Sequence, residues 1–388
     1  MSGRKLRVVF LGHSAALSGA ELGLVELVGA FDDVDPYVLL AEDGPLVDRL
    51  RAKGVRVEVS PLGERTRLLH RHEVGLRTAR VVPAGLAAGA YSLRLARTLR
   101  GLRADLVHAN TLKAFVYGCA AARLASLPLV WHVHDRIADD YMPGGAVRLV
   151  RAARRLASGV IANSEATLAT LEPLPVPTAI VHEPVEQQPF GRRAERRGEP
   201  FTVAMVGRIA PWKGQDVFVR AFAAAFPDGR ERALIIGAPL FGEDAFDESL
   251  RGLIEELGLE DRVDLCGFRD DVADELARVD ALVHASVIPE PFGRVVVEGM
   301  AAGLPVIAAG AGGPTEIVTD GVDGLLHRPG DVAGLAAALE RIAADPELGR
   351  TLGRAAAETA RAYSPEAAAR QTSDLYRRVL ASQARRAA

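Results

Sequence analysis

Residues 281–303 read ALVHASVIPEPFGRVVVEGMAAG. The run begins as a buried strand ending at Ser286, turns through Pro289 and Pro291, and opens a helix near Gly293. The same alternation extends in both directions. FTVAMVG (201–207), RALIIGA (232–238), RVDLCGF (262–268) and LPVIAAG (304–310) are short apolar strands, with helical stretches at VFVRAFAAAF (217–226) and SLRGLIEELG (249–258). The first half repeats the plan. LRVVFLG (6–12) leads through a turn to a helix from Ala20 to about Phe31, and PYVLLA (36–41), VRVEVS (55–60), DLVHAN (105–110), LVWHVH (129–134) and GVIANS (159–164) are further strands. Strands alternating with helices imply a parallel sheet covered on both faces. Between the halves, EPVEQQPFGRRAERRGEP (183–200) is polar, lacks periodicity and has the composition of a linker. The expected domains are therefore 1–185 and 186–363. An amphipathic helix, 364–388, follows, starting at Ser364-Pro365-Glu366 and carrying apolar positions at Ala367, Ala368, Leu375, Val379 and Leu380.

Composition narrows the class. A chain of 388 residues exceeds what one hydrophobic core usually serves. Hydrophobic residues at 49% and charged residues at 25% are ordinary for a globular protein, and a net charge of -3 gives no reason to expect a nucleic-acid partner. Cys119 and Cys266 lie far apart, which argues against a disulfide framework and for a reducing compartment. No stretch approaches the ~18 apolar residues of a membrane span, and the N-terminal apolar run is too short for a signal peptide. The expectation is a cytoplasmic protein. Arginine dominates the basic residues; Lys5, Lys53, Lys113 and Lys213 are the lysines.

In an open parallel sheet, ligands bind beyond the carboxyl ends of the strands. Pro289-Glu290-Pro291-Phe292-Gly293-Arg294, with Glu298 inside the following helix, occupies such a position. A helix start offers unpaired N–H groups and partial positive charge to a pyrophosphate, and Gly293 lets the backbone approach closely. Carboxylates flanking that anion site suit the hydroxyls of two sugars better than phosphate. Two solvated surface glutamates are the bland alternative. Gly207-Arg208-Ile209-Ala210-Pro211-Trp212-Lys213-Gly214 also follows a strand directly. Arg208 and Lys213 there can neutralise a diphosphate and stabilise its charge as it leaves, or else form an ion pair and an exposed turn lysine.

These residues carry a resemblance. Glu290 and Glu298, with seven residues between them, match the EX7E pattern of glycosyltransferase family 4, retaining enzymes of GT-B fold. Arg208 and Lys213 resemble that family's donor-diphosphate pair, and GGPTEIVTDGVDGLLHRPGD from Gly312 resembles the segment after its donor helix. The resemblance implies two Rossmann-like doubly wound domains facing a central cleft, with the last helix crossing back to the N-terminal domain. It implies metal-independent transfer of a sugar, with retention, from a UDP or GDP sugar to a glycan, lipid-linked or natural-product acceptor. That donor is a co-substrate, and no further cofactor is expected. Glu290 would contact the donor sugar and Glu298 its ribose. Phe292, Gly293 and Arg294 would lie along the pyrophosphate, with the base near Gly267–Asp270, Phe268 included.

In the first half, Leu17-Ser18-Gly19-Ala20-Glu21 resembles the family's glycine-rich loop, with Ser18 in place of a glycine. Gly19 would then sit near donor phosphate, and Ala20 and Glu21 near the acceptor. His134 matches the family's active-site histidine, and Asn110, Asp135 and Arg136 complete the expected acceptor surface. His132 shares a strand face with His134 by the two-residue period and reads as a satisfied core residue. Asp33-Val34-Asp35 is a literal Asp-x-Asp but reads as a solvated loop beside Pro36. Arginines crowd residues 65–103, at 65, 67, 71, 77, 80, 94, 97, 100 and 103, interleaved with apolar residues. That region reads either as a peripheral contact with the inner face of a membrane or as a solvated helix face. Two rivals to transfer are a nucleotide-sugar epimerase, which releases UDP without an acceptor, and a non-catalytic sugar-binding module, which shows no turnover.

Overall fold

The computed structural model describes residues 4–61, 78–142, 144–171, 173, 175–187, 199–240 and 242–387. The chain divides into two compact units, Met1–Pro184 with Pro365–Ala388, and Val185–Ser364. Unit 1 runs β1 (Leu6–Gly12), α1 (Gly19–Gly29), β2 (Val34–Leu40), α2 (Pro45–Ala52) and β3 (Arg56–Val59). It continues through α3 (Thr78–Gly101), β4 (Leu106–Ala109), α4 (Leu112–Ala125), β5 (Leu129–Val133), α5 (Gly144–Ala153), β6 (Gly159–Ala162), α6 (Glu165–Leu168) and β7 (Thr178–Ile180). The seven strands are parallel in the order β3-β2-β1-β4-β5-β6-β7.

Unit 2 opens with β8 (Thr202–Val206), α7 (Gln215–Ala225), β9 (Arg232–Ile236), α8 (Asp244–Glu256) and β10 (Val263–Gly267). Then come α9 (Val272–Leu276), β11 (Ala281–His284), α10 (Arg294–Ala301), β12 (Val306–Ala309), α11 (Pro314–Ile317), β13 (Leu325–His327), α12 (Val332–Ala344) and α13 (Pro346–Ala360). Its six parallel strands run β10-β9-β8-β11-β12-β13. The period of two sorts each strand's side chains. Val203 and Met205 join the core under α7, α8 and α12, while Ala204 joins the core under α10 and α13.

The last helix, α14 (Pro365–Ala387), belongs to unit 1. Its Ala368, Ala369, Leu375, Tyr376 and Val379 pack with Val8 and Phe10 of β1 and with α1 and α2. The opposite face of the sheet takes Val9 and Leu11 with α3, α4 and α5, where Trp131 stacks on Phe115 at 4.4 Å. Both sheets therefore have apolar cover on each side, which explains why their strands read as continuous hydrophobic runs.

Several expectations need correction. The three-residue strands β7 and β13 were not foreseen, being shorter than the four to eight residues that periodicity resolves. Asp33-Val34-Asp35 is not a solvated loop. Asp35 lies in β2 and takes hydrogen bonds from Arg7 and Arg56, while Asp33 accepts from Ser373 and Arg377 of α14. The expected linker also starts too early, because Glu183 is buried within unit 1. Of the arginine-rich region, Arg65, Arg67, Arg71 and Arg77 lie outside the described residues.

Candidate active site

In unit 2, β8 and β11 are neighbours but not consecutive, so the crossovers leave their carboxyl ends in opposite directions. This switch point gathers the two strand-end segments read from the sequence. Lys213 Nζ donates to both Glu290 carboxylate oxygens at 2.9 Å. Ser286 Oγ donates to Glu290 Oε2 at 2.6 Å and lies 3.0 Å from His284 Nε2. The single hydroxyl proton goes to the carboxylate, so His284 Nε2–H must be the donor to Ser286. The same Nε2 is 3.3 Å from Glu290 Oε2. The backbone is pinned as well: Glu290 N–H donates to the Ala311 carbonyl, and the Glu290 carbonyl accepts from Gly313 N–H at 2.9 Å. Gly312 between them has φ +75°, and a Cβ there would stand 2.1 Å from the Glu290 carbonyl oxygen. Only glycine fits.

Burial by itself would raise the Glu290 pKa. The Lys213 ammonium, with His284 and Ser286 donating, drives it far below the usual carboxylate range instead. Glu290 is 8% exposed and is a committed anion. Beside it, Lys213 Nζ sits 4.2 Å from the centre of the Trp212 ring, and the Arg208 guanidinium 5.6 Å from the same ring. Arg208 also pairs with Glu243 at 3.2 Å, and its carbonyl accepts from Gln215. Gly293, at φ +100°, precedes α10 and provides no side-chain cap. Arg294 and Glu298 form an (i, i+4) pair at 2.8 Å. Phe268 follows β10 and is 54% exposed, a flat apolar surface available to a ring. The Phe292 side chain is in the core against Tyr363, so its backbone is the part that can lie along a ligand.

Unit 1 has its own cluster at the carboxyl ends of its strands. His134 follows β5; its Nδ1 lies 2.5 Å from Glu183 Oε1 and its Nε2 3.3 Å from Asn110 Oδ1. Asn163 donates to both Glu183 and the His134 carbonyl. Burial would lower the His134 pKa, but Glu183, with smaller help from Glu21 and Asp135, raises it above the ordinary imidazole value. As imidazolium, both ring nitrogens donate. Asn110 and Glu21 were expected to face an acceptor. Both are buried and engaged internally: Asn110 passes its amide to the Ala20 carbonyl, and Glu21 accepts from Ser18. Gly19 opens α1 after Ser18. Asp135 accepts from Tyr141, and Arg136 pairs with Asp140.

His132 is a core residue as expected but not a satisfied one, since neither ring nitrogen has a hydrogen-bond partner among the described residues. Its ring centre lies 4.0 Å from that of His134 with the planes tilted by 32°, it meets His108 edge-on at 5.2 Å, and Tyr376 of α14 bonds His108 Nδ1 at 2.7 Å. Burial drives the His132 and His108 pKa values down, His108 to about 3, with the positive charge on His134 adding to it. A neutral column thus backs a charged histidine. Among the site residues that escaped the sequence reading are His284, Ser286, Asn163, Glu183 and Glu243. His284 and Ser286 alternate with the strand period and were signalled by their place at the strand end, whereas Glu183 and Glu243 had no local signal.

Comparison with known proteins identifies the family. The family described as "Glycosyltransferase Family 4" matches residues 46–188, and "Glycosyl transferases group 1" matches residues 187–359. A D-inositol 3-phosphate glycosyltransferase of Kribbella flavida is 32% identical over 301 residues, covering 70% of this chain and 71% of its own. The solved structure of Anabaena Alr3699/HepE in complex with UDP and glucose superposes with a TM-score of 0.82 at 30% identity, covering 95% of this chain and 98% of the other. Sucrose-phosphate synthase from Thermosynechococcus elongatus, at 22% identity and a TM-score of 0.77 over 97% and 100% of the two chains, shares the fold. The chain belongs to glycosyltransferase family 4 and is a glycosyltransferase of GT-B fold.

Proposed function

We propose that this enzyme transfers a hexosyl group from a UDP sugar, with retention and without a metal ion. The observation that carries the reading is the Lys213–Glu290 pair, fixed by Ser286 and His284 beside the uncapped start of α10. Arg208, Lys213 and the helix start supply the positive charge that a divalent cation would otherwise bring to a departing diphosphate. The likeness to a structure described with UDP favours uridine over guanosine. Phe268 gives the base a surface, and Glu298, just over one turn into α10, is placed for the ribose.

Glu290 is a positioning group. Its oxygens are held by an ammonium and a hydroxyl, which leaves it a weak nucleophile. Retention then follows from attack on the face from which UDP departs. The acceptor hydroxyl forms the new bond as the phosphate bond breaks, and the leaving phosphate oxygen takes its proton. The acceptor is assigned to unit 1, near His134, Asp135 and Arg136. The relatives named for inositol 3-phosphate make a polyhydroxylated acceptor the first to test.

The test is UDP release from UDP-glucose, UDP-N-acetylglucosamine and GDP-mannose, with inositol 3-phosphate and other polyols, in EDTA. Acceptor-dependent release of UDP and an axial product anomer by NMR support the reading. Loss of turnover in EDTA removes the metal-free part, and GDP release removes the uridine assignment. Release without acceptor, accompanied by epimer exchange, favours the epimerase.

A further inference from the structure

The helix layer α3–α4–α5 of unit 1 differs in charge from the rest of the molecule. Every other α-helix above contains at least one Asp or Glu. These three contain none, in a chain of net charge -3. Their inner faces fill one core with Leu95, Phe115 and Val147. Their outer faces repeat one motif. Leu93–Arg94, Arg123–Leu124 and Arg148–Leu149 are adjacent pairs with both side chains exposed, and Arg155–Leu156, in the short 3-10 turn after α5, is a fourth. Eight large hydrophobic residues are exposed among the described residues. Five of them, Leu93, Val116, Leu124, Leu149 and Leu156, lie on this layer, so the apolar exposure is concentrated rather than scattered.

The pairing of exposed leucine with arginine selects the partner. At a bilayer surface a guanidinium reaches lipid phosphate while the neighbouring leucine enters the acyl boundary. A single-stranded nucleic acid would be met by aromatic stacking groups, and none of the exposed large residues of this layer is aromatic, while a duplex would use the arginines alone and give the exposed leucines no partner. A second copy would bring arginine against arginine. We infer that the outer face of α3, α4 and α5 docks unit 1 on an anionic lipid bilayer. The inference does not depend on the reading of either site.

The test uses the full chain and flotation with vesicles of phosphatidylcholine alone or mixed with phosphatidylglycerol in roughly a three-to-one ratio. Binding is expected on the mixed vesicles, with salt reversing most of it. Arg148→Gln with Arg155→Gln should lower partitioning by roughly tenfold to thirtyfold. Leu149→Glu with Leu156→Glu should abolish it, and Leu240→Glu on unit 2 should leave it intact. Circular dichroism and the thermal midpoint check that each exposed substitution folds. Failure of the wild type to bind mixed vesicles at low salt overturns the inference. So does equal affinity for duplex DNA, or a wild-type dimer that the Leu149→Glu, Leu156→Glu variant dissociates.

Discussion

In unit 2 a glutamate at a strand end faces a lysine; in unit 1 a glutamate at a strand end faces a histidine. Both carboxylates are buried and both pairs sit at the carboxyl edge of a parallel sheet, yet they answer to different ranges of pH. Glu290 has a depressed folded pKa, so its contribution to stability is present above the ordinary carboxylate value, about 4.3, and is lost only as pH falls toward the depressed one. His134 has a raised folded pKa. Its contribution is present below the ordinary imidazole value, about 6.5, and is lost as pH rises through the raised one. Near neutrality, unit 2 holds a fixed charge and unit 1 a titratable one. The lesson is that the Lys213–Glu290 cluster and the His134–Glu183 cluster can be separated by pH as well as by mutation.

The largest effect is expected at Lys213. Lys213→Met leaves Glu290 buried without its cation, costing about 3–5 kcal/mol of unit 2 stability and cutting turnover about 10²- to 10³-fold. Denaturant titration beside kcat measurement checks both. Adding Glu290→Gln should restore most of the stability and none of the turnover. Next comes Gly312→Ala, which forces a Cβ onto the Glu290 carbonyl at a positive φ. A loss of about 1–3 kcal/mol is expected from strain, read as a lower urea midpoint. A stable Gly312→Ala protein with full activity would show that the loop does not hold Glu290.

Glu183→Gln sharpens the contrast. It should lower the His134 pKa, visible by NMR titration of the imidazole, and flatten the stability lost between pH about 6.5 and the raised value. Unit 2 should not respond. The smallest effect is at Phe268. Phe268→Ala removes a stacking surface and should raise the donor KM by roughly twofold to tenfold with kcat unchanged.

The fold was readable because strands covered on both faces become continuous apolar runs. Only β7 and β13 were too short for that signal. Arg208, Lys213, Glu290 and Glu298 were readable because they lie within a few residues of a strand end or helix start. What stayed hidden were the partners. Glu183 meets His134 across 49 positions of sequence, and Lys213 meets Glu290 across 77. The sequence places residues on strand ends, but only the sheet order brings those ends together. Phe292 shows the converse, since a residue inside a functional motif can serve the core.

In the proposed mechanism Lys213 acts on the departing diphosphate rather than on the bound donor. UDP affinity by calorimetry and turnover of the UDP sugar, measured together on wild type and Lys213→Met, test it. An affinity within about tenfold of wild type is expected, with a kcat lower by about 10²- to 10³-fold. Equal losses in both would contradict it.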